Sequence, residues 1–190
     1  MDNQLTAEER QMLLKLARQA LEAGVRGQPA PAVDLSALPD NLCQPGASFV
    51  TLTRLGELRG CIGALEAYQP LAEDVCEHAM AAALHDYRFP PVQPSELPDI
   101  KIEVSCLTPP QDLDYANAKD LKDVIRPNID GVTLFDGWRK ATFLPQVWEK
   151  LPEPEEFLAH LCYKMGADPE LWRRRKLRVQ TYQVEEFSES

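Results

Sequence analysis

Residues 48–63 read SFVTLTRLGELRGCIG, and this stretch decides the fold prediction. Its first part, SFVTLTR, is rich in β-branched and aromatic side chains, a composition typical of a strand. Leu55-Gly56-Glu57 has the composition of a turn. LRGCIG at 58–63 is therefore predicted to return as the second strand of a hairpin.

A helix is predicted before this hairpin, with a proline-rich connector between the two. Thr6 and Glu9 form the capping box that marks a helix start, and apolar residues at helical spacing follow as far as Gly24. The segment Arg26–Ala47 contains four prolines and has little periodicity. We expect it to run over the surface as an extended connector.

The remaining elements mix strands with helices. They are a helix after Pro70, a strand over Ile100–Leu107, a short helix near Lys122, a hairpin over 131–144 with Asp136-Gly137 as its turn, a helix from Pro154 to Gly166, and a closing strand over Leu177–Phe187. A hairpin in each half favours an α+β fold over a doubly wound parallel sheet.

The composition is that of an ordinary globular chain. Its 190 residues, 44% apolar and 26% charged, suffice for one domain or two closely joined lobes. The net charge of -10 repels phosphate backbones, so nucleic-acid binding is not expected. No apolar run approaches the roughly 20 residues of a membrane helix, and the acidic N-terminal sequence lacks the features of a secretion signal. We expect a cytoplasmic protein without membrane contact.

Neither a disulfide framework nor a cofactor is indicated. The 5 cysteines are scattered and odd in number. Cys76 and His78 stand two positions apart on a predicted helix, where their side chains diverge, so no metal site is predicted. Motifs for nucleotide binding are lacking, so no cofactor is predicted.

Cys61 is the residue with the strongest claim to chemistry. If LRGCIG is extended, Arg59 and Cys61 point to the same face, and a guanidinium beside a thiol favours the thiolate. Gly60 and Gly63 indicate a bend or a close backbone approach next to the sulfur. The alternative is packing, because cysteine also behaves as a small buried apolar residue.

Three polar residues outside the motif are candidate partners of Cys61. Asp86 and Arg88 follow the second helix, where they could also be a capping carboxylate and a structural ion pair. Glu103 is an isolated charge in a strand. His85 is a conceivable base with Asp86 as its orienter, but adjacent side chains diverge, which disfavours that dyad.

Five segments, in this order, resemble the AMMECR domain family, whose bacterial members are called AmmeMemoRadiSam system protein A. They are LRGCIG at 58–63, DYRFPP at 86–91, IEVSCLTPP at 102–110, GVTLFDGWRKATFLPQVWEKLP at 131–152 and FLAHLCYKMG at 157–166. The similarity runs from about Ser48 to the closing strand. His85 falls at a position that varies in this family, which weakens the dyad further.

The resemblance implies an α+β fold of two unequal lobes around a mixed, curved, barrel-like β-sheet flanked by helices. LRGCIG would lie near a cleft between the lobes. The resemblance implies one AMMECR-type domain over 1–190, with the helix and connector in 1–47 and the motif-bearing core in 48–190. It also implies a Memo-like protein and a radical-SAM enzyme as partners, and it implies no assigned reaction.

Three functions remain open on the sequence. The chain is an enzyme that uses Cys61 on a small anionic or carbonyl substrate, or an adaptor for the Memo-like and radical-SAM partners, or a protein in which LRGCIG is only packing. The residues expected to act in the enzyme are Cys61, Arg59 and Asp86 as catalytic groups, with Arg88, Gly60, Gly63 and Glu103 as substrate contacts.

Overall fold

The computed structural model describes residues 4–189 and divides into two compact units. The first unit comprises residues 4–108 and 185–189, and the second comprises Pro109–Val184. The α+β class expected from the sequence is confirmed. Its strands form two antiparallel sheets in place of the single barrel-like sheet that was expected.

The described residues contain six α-helices and nine strands, joined by short 3-10 turns. In chain order they are α1 (Ala7–Val25), α2 (Asp40–Cys43), β1 (Pro45–Arg54), β2 (Glu57–Gly63), β3 (Gln69–Pro70), α3 (Leu71–Leu84), β4 (Ile100–Leu107), β5 (Gln111–Asp112), α4 (Leu121–Val124), β6 (Gly131–Asp136), β7 (Arg139–Phe143), α5 (Pro154–Lys164), α6 (Leu171–Arg174), β8 (Arg178–Tyr182) and β9 (Val184–Ser188). The first sheet has the order β2-β1-β4-β9, with β3 beside the start of β1, and the second has the order β5-β8-β6-β7.

Helix α1 begins where the capping box predicts. The Thr6 hydroxyl accepts a hydrogen bond from the Glu9 N–H, and the Glu9 carboxylate accepts one from the Thr6 N–H. Two otherwise unpaired donors of the first turn are satisfied in this way. Leu13 and Leu21 are fully buried on the inner face, where each contributes about 1.5–3 kcal/mol.

The predicted hairpin is formed by β1 and β2, which meet at a two-residue turn. Leu55 and Gly56 both have positive φ, 52° and 84°, the backbone combination that matches the twist of paired strands. Strand β4 pairs with the other side of β1, so β1 lies inside the sheet and β2 forms its edge. Val50 and Leu52 face the apolar core together with residues of α1 and α3.

The second unit has its own core around two stacked aromatic rings. Trp148 and Phe157 lie parallel with ring centroids 3.7 Å apart, and both are fully buried. The Trp148 indole donates a hydrogen bond to the Asp130 carbonyl, which satisfies its only polar atom. The hairpin with its Asp136-Gly137 turn is confirmed as β6 and β7.

Two sequence predictions need correction. The connector over Arg26–Ala47 is not wholly extended, since it contains α2 and a 3-10 turn, and β1 already begins at Pro45. The closing strand over Leu177–Phe187 is two strands, β8 and β9, that belong to different sheets. No helix within residues 4–189 is long and apolar enough to cross a membrane.

Candidate functional site

Cys61 lies in a row of three polar side chains that crosses the first sheet. Thr51 is paired with Cys61 of β2 on one side and with Glu103 of β4 on the other. Directly opposite residues of antiparallel strands share one face, so all three point away from the face that carries Val50. We call Cys61, Thr51 and Glu103 the Cys61 row.

The Cys61 thiol is not sealed in the core. The residue is half-buried, and the Thr51 hydroxyl donates a hydrogen bond to its sulfur over 3.3 Å. Cys76 and Cys106 are buried instead, and burial raises the pKa of their thiols to about 11 and about 12. Of these cysteines, Cys61 is the one in a setting that suits a reagent.

Asp86 and Arg88 bind the peptide groups of Cys61 at the free edge of β2. The Asp86 Oδ2 accepts a hydrogen bond from the Cys61 N–H at 2.9 Å, and the Arg88 Nη2 donates one to the Cys61 carbonyl at 3.2 Å. Arg88 also donates to both carboxylate oxygens of Asp86, at 2.9 and 2.6 Å. The pair therefore fixes the backbone that carries the thiol and covers an otherwise unpaired strand edge.

Asp86 is held as an anion. Its pKa lies well below the usual range of a carboxyl group, chiefly because Arg88 donates hydrogen bonds to it, and burial opposes this only in part. The pKa of Arg88 is raised, first by its hydrogen bond to Asp86 and to a smaller extent by its proximity to Cys61. Asp86 is 4% exposed, whereas Arg88 reaches solvent, so the pair presents a cation beside Cys61.

Arg59 is engaged elsewhere. Its Nε and Nη2 donate to the two oxygens of Glu96 at 2.9 and 3.1 Å, and Arg54 donates to the same carboxylate at 3.2 Å. These arginines lower the pKa of Glu96 to about 2, the Arg59 hydrogen bond being the largest cause. The arginine that contacts the Cys61 peptide is thus Arg88, and the predicted effect of Arg59 on the thiol stays a prediction.

Gly60 and Gly63 have a packing reason to be glycine. A Cβ on Gly60 would lie 2.1 Å from the Ala82 carbonyl oxygen of α3, and one on Gly63 would lie 2.4 Å from the Phe49 ring. Both distances are far below a van der Waals contact, so β2 can approach its neighbours only without side chains there. The close backbone approach predicted for these glycines is made by the protein itself.

Glu103 is the carboxyl group of the Cys61 row, and its pKa is shifted in the opposite direction to that of Asp86. Burial raises its pKa, and the charge of Glu186 on β9 raises it further. A carboxyl group in such a setting keeps its proton to a higher pH than usual. Two carboxyl groups with pKa values shifted in opposite directions are typical of sites in which one holds charge and the other moves protons.

Neither His78 nor His85 reaches the Cys61 sulfur by any hydrogen bond seen in the described part of the chain. His78 is buried, and its Nδ1 lies 3.1 Å from the Oδ2 of Asp74. The Ser48 hydroxyl donates a hydrogen bond to the same carboxylate. His85 is exposed at the C-cap of α3. Among residues 4–189, no three His, Cys, Asp or Glu side chains come together in a way that could hold a metal ion.

The sequence predictions omitted Thr51 and Glu96. A signal for Thr51 was present, since the alternation of SFVTLTR places it opposite the apolar Val50 and Leu52. Glu96 gave no such signal, because it is 37 residues from Arg59 and lies in a 3-10 turn between α3 and β4.

The fold and site define a class of α+β protein in which an edge-strand cysteine is fixed by a buried aspartate and its partly exposed arginine partner. The family model described as AMMECR1 matches residues 14–187. A protein of Methanothermobacter thermautotrophicus is 40% identical over 186 residues, which cover 97% of this chain and 96% of that protein. Protein MK0488 of Methanopyrus kandleri is 37% identical and covers 100% of this chain and 92% of its own length.

A solved structure shows the same fold. Uncharacterized protein PH0010 from Pyrococcus horikoshii is 33% identical, with a TM-score of 0.75 over 94% of this chain and 90% of that one. The chain belongs to the AMMECR1 family. The names of these relatives state no activity, so function has to be argued from the site.

Proposed function

We propose that the protein is an enzyme that uses Cys61 as a nucleophile on a small carbonyl compound with an anionic group. The observation that carries the proposal is the Cys61 row, in which a half-buried thiol, a hydroxyl bonded to it and, one strand further, a carboxyl group share one face. Arg88 supplies the cation that an anionic group of the substrate would meet.

The roles of the neighbouring residues follow from their contacts. Asp86 accepts four hydrogen bonds, from Cys61 and from three N–H groups of Arg88, so it has no free oxygen position for proton transfer. It acts as a positioning residue for the Cys61 backbone. Arg88 is both positioned by Asp86 and open to solvent, which suits it to bind a carboxylate.

The chemistry that these groups support is reversible addition. The sulfur forms a bond to the carbonyl carbon while the C=O π bond breaks, and the carbonyl oxygen takes up the proton given up by the thiol. Thiol and carbonyl together supply every atom of the adduct, so no oxidant or cofactor is required. A carboxylate on the substrate would orient the carbonyl through Arg88.

The proposal is tested by adduct formation with isotope-labelled 2-oxo acids and aldehydes. Wild-type protein should convert the labelled carbonyl carbon to a tetrahedral carbon, which shifts its ¹³C resonance strongly, and Cys61→Ser should not. Cys43→Ser is the matched control, because Cys43 is also half-buried but donates to the Leu35 carbonyl. If no compound gives an adduct, or Cys61→Ser gives the same adduct, the enzyme proposal fails.

A second function is favoured by the exposure of two aromatic residues. Tyr87, next to Asp86, is 94% exposed, and Trp138 at the tip of the β6–β7 hairpin is 92% exposed. Exposed aromatic side chains are enriched at protein interfaces. We propose as the alternative that the protein is an adaptor that presents these residues to the Memo-like and radical-SAM proteins implied by the family resemblance.

The adaptor function is tested by binding of the purified chain to those two proteins from the same organism. Tyr87→Ala and Trp138→Ala should each weaken the complex at least about 10-fold, as expected of aromatic interface residues. Cys61→Ser should leave binding intact. Tyr163→Ala is the control, since that tyrosine is also exposed. An absence of any complex would rule out this function.

A further inference from the structure

The Cys61 row has an acid at one end and a thiol at the other. We propose that Glu103 carries the proton for the chemistry at Cys61 and that the Thr51 hydroxyl links the two. The inference rests on the proposed function, because it assigns the proton transfer of that same addition.

The strand register makes such a link necessary. Directly opposite residues in an antiparallel pair have Cβ atoms about 4.5–5.5 Å apart, so two steps across the sheet separate Cys61 from Glu103 by about 10 Å. Direct proton transfer requires heavy atoms about 2.6–3.2 Å apart or a single intervening group. Thr51 is paired with both residues and occupies that intervening position.

The direction of the observed hydrogen bond fits this path. A hydroxyl group has one hydrogen to donate and two lone pairs with which to accept. Thr51 donates its hydrogen to the Cys61 sulfur, which leaves its lone pairs for a donor on the other side. A protonated Glu103 carboxyl can be that donor, and burial and the charge of Glu186 raise its pKa, which favours the protonated form.

Asp86 does not compete for this role. Its carboxylate is saturated with hydrogen bonds from Cys61 and Arg88, and its depressed pKa keeps it ionised. Charged groups beside Glu103 are Lys101, two residues along β4, and Glu186 on the neighbouring β9. The negative charge of Glu186 disfavours a second anion, which further supports a protonated Glu103.

The addition conserves protons and electron pairs. The sulfur reacts after its proton has left to solvent, and it accepts the hydrogen bond of Thr51. When sulfur adds to a carbonyl carbon, the C–S bond forms, the π electrons move to oxygen, and the proton of Glu103 reaches that oxygen through the row. Glu103 is left as a carboxylate and regains the proton when the adduct breaks down.

The test compares two neutral probes of similar size on Cys61, resolved by peptide mapping of the native protein. Iodoacetamide loses iodide when sulfur attacks, so that reaction needs no proton donor. Acrylamide accepts the sulfur at its terminal carbon and needs a proton at the neighbouring carbon. The ratio of the two rates cancels differences in the exposure and ionisation of the thiol.

Loss of the donor should lower this ratio. We expect Glu103→Gln to reduce the acrylamide-to-iodoacetamide rate ratio at least about 10-fold. General acid–base catalysis of a natural substrate contributes roughly 10²–10⁴-fold, and the effect should be smaller here because acrylamide is not the natural substrate. Thr51→Val should give a similar reduction, and Thr51→Ser should restore the ratio. Glu57→Gln, an exposed substitution on β2, is the matched control and should leave the ratio unchanged.

The pH profile distinguishes proton transfer from a structural effect. In wild type the ratio should fall as pH rises through the titration of Glu103, because the donor form is lost above its pKa, and Glu103→Gln should remove that fall. Equal ratios in wild type, Glu103→Gln and Thr51→Val overturn this inference while leaving the proposed nucleophile intact. If Cys61 of the native wild type reacts with neither probe, the proposed function itself fails.

Discussion

Substitution of Gly60 by alanine tests the packing that sets the position of Cys61. The new Cβ would lie 2.1 Å from the Ala82 carbonyl oxygen and 3.1 Å from its carbonyl carbon. Both are backbone atoms of α3, so neither can rotate away. Overpacking of this kind costs about 1–3 kcal/mol, and removal of a glycine from a strand returns about 0.5–1 kcal/mol.

The cost of overpacking exceeds the gain from removing a strand glycine, so the substitution should destabilise the fold. We expect Gly60→Ala to lower the free energy of unfolding by about 2 kcal/mol, toward the upper end of that balance because the obstacle is backbone. For a chain of this length that corresponds to a fall in Tm of about 4–8 °C. Urea unfolding followed by far-UV circular dichroism, with a thermal scan, measures both quantities.

Leu58→Ala is the control for Gly60→Ala. Leu58 is exposed on the same strand, and its loss should change stability by no more than about 0.5 kcal/mol. A Gly60→Ala protein as stable as wild type would show that β2 does not approach the end of α3 as closely as the structure has it. The packing reason for the glycine would then be refuted.

Three further substitutions test individual interactions, each by urea unfolding. Arg88→Ala should lower the free energy of unfolding by about 1–3 kcal/mol. Breaking a fully buried pair costs roughly 3–5 kcal/mol, and the loss is smaller here because Asp86 is buried but Arg88 is partly exposed. Glu96→Gln should lose stability at neutral pH, and its difference from wild type should vanish as pH falls from 4.5 through about 2, because a depressed pKa stabilises the fold only while the group is ionised. Tyr115→Phe should lower the free energy of unfolding by about 1–3 kcal/mol, because the buried hydroxyl donates to the Leu177 carbonyl and accepts from the Leu177 N–H.

Each of these predictions has a result that contradicts it. Arg88→Ala with unchanged stability would mean that the pair contributes nothing. A Glu96→Gln difference that persists at pH 2 would show that ionisation of the carboxyl group is irrelevant. Tyr163→Phe, at an exposed tyrosine, is the control for Tyr115→Phe and should be neutral, so equal effects of the two would contradict the argument from burial.

Elements with a strong local pattern were predictable. The capping box of α1, the hairpin of β1 and β2, and the alternation of β4 each depend on residues close together in the sequence. The closing strand was predicted as one element because Leu177–Phe187 is continuously strand-like. Its division between two sheets depends on partner strands far away in the sequence, which local periodicity does not report.

The surroundings of Cys61 were predictable only in part. Alternation predicts Arg59 and Cys61 on one face, but Leu52 pairs with Gly60 while Thr53 pairs with Leu58, which leaves Arg59 as the extra residue of a β-bulge. A bulge redirects the side chain that it carries, and here Glu96 binds that side chain. Bulge and partner are both consequences of tertiary structure.

Native-state alkylation decides whether Cys61 is a reactive thiol. Each cysteine of the folded protein is labelled over a range of pH and its rate is resolved by peptide mapping. We predict that Cys61 reacts well before Cys76, Cys106 and Cys162, which are buried and whose thiols have raised pKa values. If Cys61 reacts only when the protein unfolds, at the same rate as those three, LRGCIG is a packing motif and Cys61 is not a nucleophile.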